Sequence, residues 1–148
     1  KAGGSGYLFR TATVQDFSAV TGACLLVKTS VWDEVKGLDE AFAVAFNDVD
    51  FCLRVRDAGY RIAWTPYAEL IHYESKSRGG DEKDPVKAAR FAAEQQRLYT
   101  IHGKENILDD PYYNPNLTRD REDFSESDDL RRLKEGRVTV RFRGGTLQ

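Results

Sequence analysis

The stretch Asn47 to Tyr60, NDVDFCLRVRDAGY, decides the fold class. Val49, Cys52, Leu53, Val55 and Arg56 recur at near-helical spacing and Gly59 stops the run, so the segment predicts a helix. Directly after it, Tyr60 to Thr65 (YRIAWT) alternates as a strand and Pro66 breaks it; Ala68 to Tyr73 (AELIHY) reads as another strand. A helix followed at once by strands implies a mixed α/β domain. At the helix start, Asn47 suits the N-cap and Asp50, three residues on, can reach back in a capping-box manner. Asp48 has no such task. Its carboxylate projects from the first turn toward whatever lies beyond it, either as a solvated acid that complements the helix dipole or as a functional group.

Upstream, Ser18 to Lys28 (SAVTGACLLVK) is a β-type run with Gly22 at its centre, where a missing Cβ marks close approach of another backbone or a ligand. Thr29 or Ser30 then caps a short helix with apolar positions Val31, Trp32 and Val35, ended by Gly37, and Asp39 to Phe46 is a loop. Downstream, residues 74 to 84 form a polar, glycine-containing loop. Pro85 opens a long helix that runs to about His102, with Gly103 as its stop and His102 as a favourable C-terminal cation. Asp110 to Thr118 (DPYYNPNLT) is irregular, and Glu126 to Arg137 is a solvated helix or linker ahead of a short β-like run, Arg137 to Arg143.

Composition narrows the classes. The 148 residues carry a net charge of −2, which leaves no electrostatic footprint for nucleic acid. No apolar run approaches the roughly 18 residues of a membrane-spanning helix. There is no Met, and the chain opens Lys1-Ala2-Gly3-Gly4-Ser5-Gly6, so it reads as a piece of a longer polypeptide. Cys24 and Cys52 sit in hydrophobic patterns and read as buried free thiols, which favours the cytoplasm.

Two further places could carry chemistry. His72 lies on the strand pattern 68–73, sharing a face with Leu70 and Glu74, where an imidazole either packs in the core or ligates. Arg78 follows in a polar cluster that could close over an anion. Trp64 and Tyr67 flank Pro66 as core residues or as an aromatic platform for a sugar.

Together, TGACLLVKTSVWDEVKGLDEAF, FNDVDFCLRVRDAGYRIAWTPYAELIHYESKSRG and DPYYNPNLTRDREDFS resemble the C-terminal part of family-two inverting glycosyltransferases with the GT-A fold, nearest to bacterial rhamnosyltransferase-like enzymes of surface-polysaccharide synthesis. The resemblance runs from about Val14 to Ser125. It implies a GT-A portion with a mixed sheet and flanking helices: an acceptor-side part over residues 1–125 and a charged tail over 126–148. It assigns Asp48 as general base and Asp50 as an acceptor contact or orienting group. Asn47 stands where the family commonly has Glu, and an amide cannot serve as a base. The resemblance further implies that Thr21, Gly22 and Ala23 line the donor-sugar side and that His72 ligates a divalent cation, Mg²⁺ or Mn²⁺; Arg78, on the reading of its polar cluster, would meet phosphate oxygens. The implied partners are a nucleotide-sugar donor and a glycan or lipid-linked acceptor, at the cytoplasmic face of a membrane. The family's upstream Asp-x-Asp metal motif has no counterpart here, so the chain alone is expected to be inactive and to self-associate through raw sheet edges. The rival readings are a non-catalytic assembly module and a metal-dependent hydrolase, the latter disfavoured because such sites need more clustered ligands than Asp48, Asp50 and His72.

Overall fold

A computed structural model describes residues 6–71, 84–121 and 123–127. By contact density the chain divides into two compact units, residues 1–112 and 113–148. Among the described residues the first unit holds β1 (Gln15–Asp16), α1 (Thr29–Glu34), α2 (Asn47–Asp57), β2 (Ala63–Trp64), α3 (Pro85–His102) and α4 (Lys104–Leu108). The strands pair antiparallel, Gln15 opposite Trp64 and Asp16 opposite Ala63. Helices with a short ribbon make this a mixed α/β arrangement. In the second unit, Leu117 and Glu126 form an isolated antiparallel bridge.

The core gathers around α2. Phe51, Cys52 and Val55 are buried together with Val31 of α1 and Ile62 before β2, and Ala19, Val20, Leu25, Val27 and Val35 pack against them. The spacing 51, 52, 55 is one helical stripe, displaced from the expected one: Val49 and Leu53 are only half-buried, while Phe51 lies at the centre.

The run 18–28 behaves as a strand only in part. Leu25 and Lys28 are extended, and residues 25 to 27 alternate inward and outward, with Leu26 98% exposed. At Gly22–Cys24, however, the chain winds into a 3-10 turn because the Thr21 hydroxyl accepts from the Ala23 amide at 3.3 Å. That side-chain bond offers the backbone a turn in place of a ladder. Cys24 consequently reaches the surface, which corrects the expectation that both thiols are buried. Cys52 is buried, its Sγ 3.8 Å from the Val20 carbonyl. Burial pushes its thiol pKa up, with the nearby Asp48 charge adding to the effect.

The expected helix caps also differ. Lys28 occupies the N-cap of α1, without a side-chain bond, and Thr29 is already helical. Phe46 occupies that of α2. Of the anticipated strands, Tyr60–Thr65 shrinks to Ala63–Trp64, and the described part of 68–73 is irregular. The long helix α3 matches its expected bounds, with Asp84 accepting from the Val86 amide at 2.9 Å and Gly103 at φ 79 beyond its end. The short α4 follows directly after Gly103, where no separate helix is expected from the residues.

Glycines end α1 and α2 in different surroundings. Gly37 (φ 64) donates to the Trp32 carbonyl at 2.9 Å, and a Cβ there would come within 2.8 Å of Trp32 Cζ2. Gly59 (φ 91) has open space at that position. The strained φ alone makes alanine cost about 1–3 kcal/mol at either site. At Gly37 the indole, lodged 5.3 Å from the Phe51 ring, must also move, for roughly 1–3 kcal/mol more. Denaturant titration is expected to show Gly37→Ala as clearly the weaker variant; equal losses would mean that Trp32 is not seated against Gly37. The two thiols give a second check. Under native conditions iodoacetamide is expected to label Cys24 rapidly and to reach Cys52 only on unfolding, read by mass spectrometry; equal native rates would contradict the packing around α2.

Candidate functional site

The first turn of α2 carries two carboxylates with opposite surroundings. Asp48 is half-buried at the surface. Its Oδ2 accepts from the Gly22 amide at 2.8 Å and its Oδ1 from the Val49 amide at 2.9 Å. Gly22 comes this close because it lacks a side chain: a Cβ would stand 3.3 Å from Asp48 Cβ. The close approach marked by Gly22 is therefore an approach by Asp48. Thr21, Gly22 and Ala23 are all exposed beside it. A carboxylate has about four lone-pair directions, so two backbone donors leave capacity for a ligand hydroxyl.

Asp50 points the other way. It is 1% exposed and does not close a capping box. Arg54 Nε donates to its Oδ2 at 2.9 Å, with Nη2 2.7 Å from the same oxygen, and His102 Nε2 lies 2.8 Å from Oδ1. Arg54 Nη1 also donates to the Val35 carbonyl at the end of α1. Asn47, the expected cap, instead accepts from the Asp48 amide at 2.7 Å. His102 does sit in the last turn of α3, but its ring is turned inward to Asp50 rather than standing as a surface cation.

The loop before α2 is held by the same face of α3. Glu94 is buried and its Oε2 accepts from the Ala45 amide at 2.6 Å. The Phe91 ring lies 4.9 Å from that of Phe46. Arg97 pairs with Asp39 at 2.9 Å and stacks over Phe42, whose ring is buried. The Arg97 guanidinium, with help from the Ala41 amide, holds the Asp39 carboxyl below its usual range. These contacts support an unusual backbone: Phe46 adopts φ 63, a left-handed conformation that costs a bulky residue about 1–3 kcal/mol and persists where the surroundings over-determine it. The strain sits two residues before Asp48.

Known proteins resemble this chain over part of its length. The chain is 49% identical over 121 residues to an uncharacterized Sinorhizobium fredii protein, y4gI, covering 81% of this chain and 13% of that protein. It is 33% identical over 108 residues to the O-antigen biosynthesis protein RfbC of Myxococcus xanthus, covering 73% of this chain and 8% of RfbC. It is 35% identical over 80 residues to the N-acetylglucosaminyl-diphospho-decaprenol L-rhamnosyltransferase of Mycobacterium tuberculosis, covering 54% and 24%. These relatives support kinship with a rhamnosyltransferase-like glycosyltransferase family. It spans between 8% and 24% of the length of these three relatives. No protein-family model matches it, and no solved structure does.

Of the residues singled out in this glycosyltransferase-like segment, the structure brings Asp48 and Gly22 into contact, with Thr21 and Ala23 flanking, and buries Asp50 behind them. His72 and Arg78 lie outside the described residues. Tyr67 is 86% exposed, while Trp64 is half-buried against Phe17, ring centroids 6.2 Å apart, so the flanking pair is not a common core. Glu94 and His102 were not recognised from the sequence as supports. A spacing signal was present, since Phe91, Glu94, Leu98 and His102 fall on one helical face, but polar residues on that stripe read as solvent-facing until their partners are known. No helix among the described residues is long and apolar enough to cross a membrane.

Glu94→Ala leaves the Ala45 amide without its acceptor, a loss of about 1–3 kcal/mol. Glu94→Gln keeps an acceptor oxygen and is expected to recover part of it, measured by urea unfolding. No loss for Glu94→Ala would show that α3 does not hold this loop.

Proposed function

We propose that this chain is the acceptor-side, C-terminal part of a GT-A catalytic domain, and that the polypeptide carrying it transfers a sugar with inversion from a nucleotide-sugar donor to a glycan or lipid-linked acceptor. What supports the reading most is the surface placement of Asp48, held by Gly22 at the start of α2, in a chain related by sequence to a rhamnosyltransferase. In this reading residues 1–125 belong to the catalytic domain and 126–148 are a tail. The reaction takes place in the cytoplasm, peripherally at the inner face of the membrane.

The chemistry is a single displacement. The acceptor hydroxyl oxygen forms a bond to the anomeric carbon as the bond from that carbon to the diphosphate oxygen breaks, and the leaving nucleoside diphosphate takes the electron pair. Asp48 accepts the hydroxyl proton on a lone pair not used by the Gly22 and Val49 amides. Those two donors fix the carboxylate plane, so the oxygen that takes the proton is held in position before the acceptor arrives. Thr21, Gly22 and Ala23 border the donor sugar, and Arg78 meets phosphate oxygens. Asp50, with both oxygens occupied inside, is the orienting group rather than an acceptor contact.

A divalent cation, Mg²⁺ or Mn²⁺, supplies Lewis-acid stabilisation to the departing diphosphate when bound. Among the described residues no group of three or more His, Cys, Asp or Glu could hold a metal, so the proposed ligand is His72 together with groups beyond the described ones. For a hard cation a lone imidazole is insufficient, and the 148-residue chain by itself is expected to be inactive.

Asp48→Asn tests the base in the polypeptide that carries this segment. The amide oxygen can still accept from Gly22, but the amide nitrogen cannot accept from Val49, so a modest drop in thermal midpoint is expected beside a fall in sugar transfer of about 10²- to 10⁴-fold. Turnover within about tenfold of the parent would remove Asp48 from the role, since general-base help is larger than that.

A further inference from the structure

Among the described residues the inward-turned imidazole of His102, 52 positions from its partner in sequence, has no task in this reading. We propose that His102, through Asp50, is a positioning residue that sets where the first turn of α2 presents Asp48. Its catalytic consequence rests on the reading of Asp48 as the base; its structural content does not.

The geometry connects the two ends. The His102 side chain is 7% exposed and that of Asp50 2%. Against a carboxylate, which only accepts, Nε2 is the donor. Asp50 follows Asp48 by two residues, and its own amide donates to the Phe46 carbonyl at 2.8 Å. One residue therefore ties together the strained loop, the first helical turn and α3. Phe91 and Glu94 hold Phe46 and Ala45 from the same helix, and His102 completes that line of support one residue short of Gly103. Without the imidazole, Asp50 Oδ1 becomes a buried acceptor with no donor, and the turn must rotate or admit water to satisfy it. Gly22 presents no Cβ that would keep Asp48 from moving with the turn. A small rotation therefore lengthens the 2.8 Å bond from the Gly22 amide to Oδ2.

That amide is the readout. In proton–nitrogen spectra of the full chain, His102→Phe is expected to move the Gly22 amide proton upfield and speed its hydrogen exchange. The amides of β1 and β2, which do not touch this network, stay in place. His102→Gln, whose amide nitrogen reaches about as far as Nε2, returns Gly22 toward its original shift. A residue that merely adds stability would shift all these amides together, or none. If His102→Phe does not fold, Asp50→Asn carries the same expectation, since one amide oxygen cannot serve both Arg54 and His102. An unmoved Gly22 amide in either folded variant overturns the proposal. In the polypeptide that carries this segment, His102→Phe is expected to lower kcat by about tenfold or more with KM for the donor nearly unchanged, as misplacement of a reacting group does. Turnover that survives Asp48→Asn would sink the base reading and leave the Gly22 result standing. A Gly22 amide that does not respond would sink the role of His102 whatever turnover does.

Discussion

A carboxylate as deeply buried as that of Asp50 must be paired, and its partners come from two helices: Arg54 one turn along α2 and His102 at the end of α3. Arg54 adds a third by donating to the Val35 carbonyl, where α1 ends and its dipole favours a cation. Three helices therefore meet at one side chain, and their positions near it cannot be changed independently. Apolar contacts around Phe51 and Val55 make α2 stick to α1, but such contacts tolerate sliding. Directional bonds to Asp50 do not.

The consequence reaches the surface because Asp48 and Asp50 share a turn. Successive residues of a helix point about 100° apart, so the inward aim of Asp50 sends Asp48 toward the chain that carries Gly22. The left-handed Phe46 gives α2 its abrupt start, and the strain there is stored against contacts from α3 rather than against solvent. An outward carboxylate, an inward one and a strained residue before both amount to a single arrangement in which each part depends on the others.

Much of this was legible in the sequence. The helix over 47–57 followed from its apolar recurrence and Gly59; α3 followed from Asp84-Pro85 and Gly103, whose conformational preferences are local. The close approach at Gly22 was also readable from its missing Cβ, whereas Asp48 stood open between a solvated acid and a functional group and proves to be a surface carboxylate held by two backbone amides. What failed were features set by distant partners. Asp50 looked like a capping-box residue because that pattern is local, yet a charge-assisted bond to Arg54 and a second to His102 outweigh one bond to an amide that water could equally satisfy. The stretch 18–28 has strand composition, but the Thr21 hydroxyl turns it at Gly22. Cys24 then faces outward although its neighbours in sequence are apolar.

Why a polar cluster rather than a hydrophobic one should stand at this junction follows from what each can specify. Replacing a buried ion pair with well-packed apolar groups is often neutral or stabilising, so stability alone gives little reason to keep Asp50. An apolar replacement would fill the same volume while allowing the first turn of α2 several nearly equivalent rotations. The Asp50–Arg54–His102 bonds admit one, because each oxygen of Asp50 has its own donor at hydrogen-bond distance. A surface carboxylate that must meet a particular backbone amide needs that single rotation, and the buried charges two residues further along enforce it.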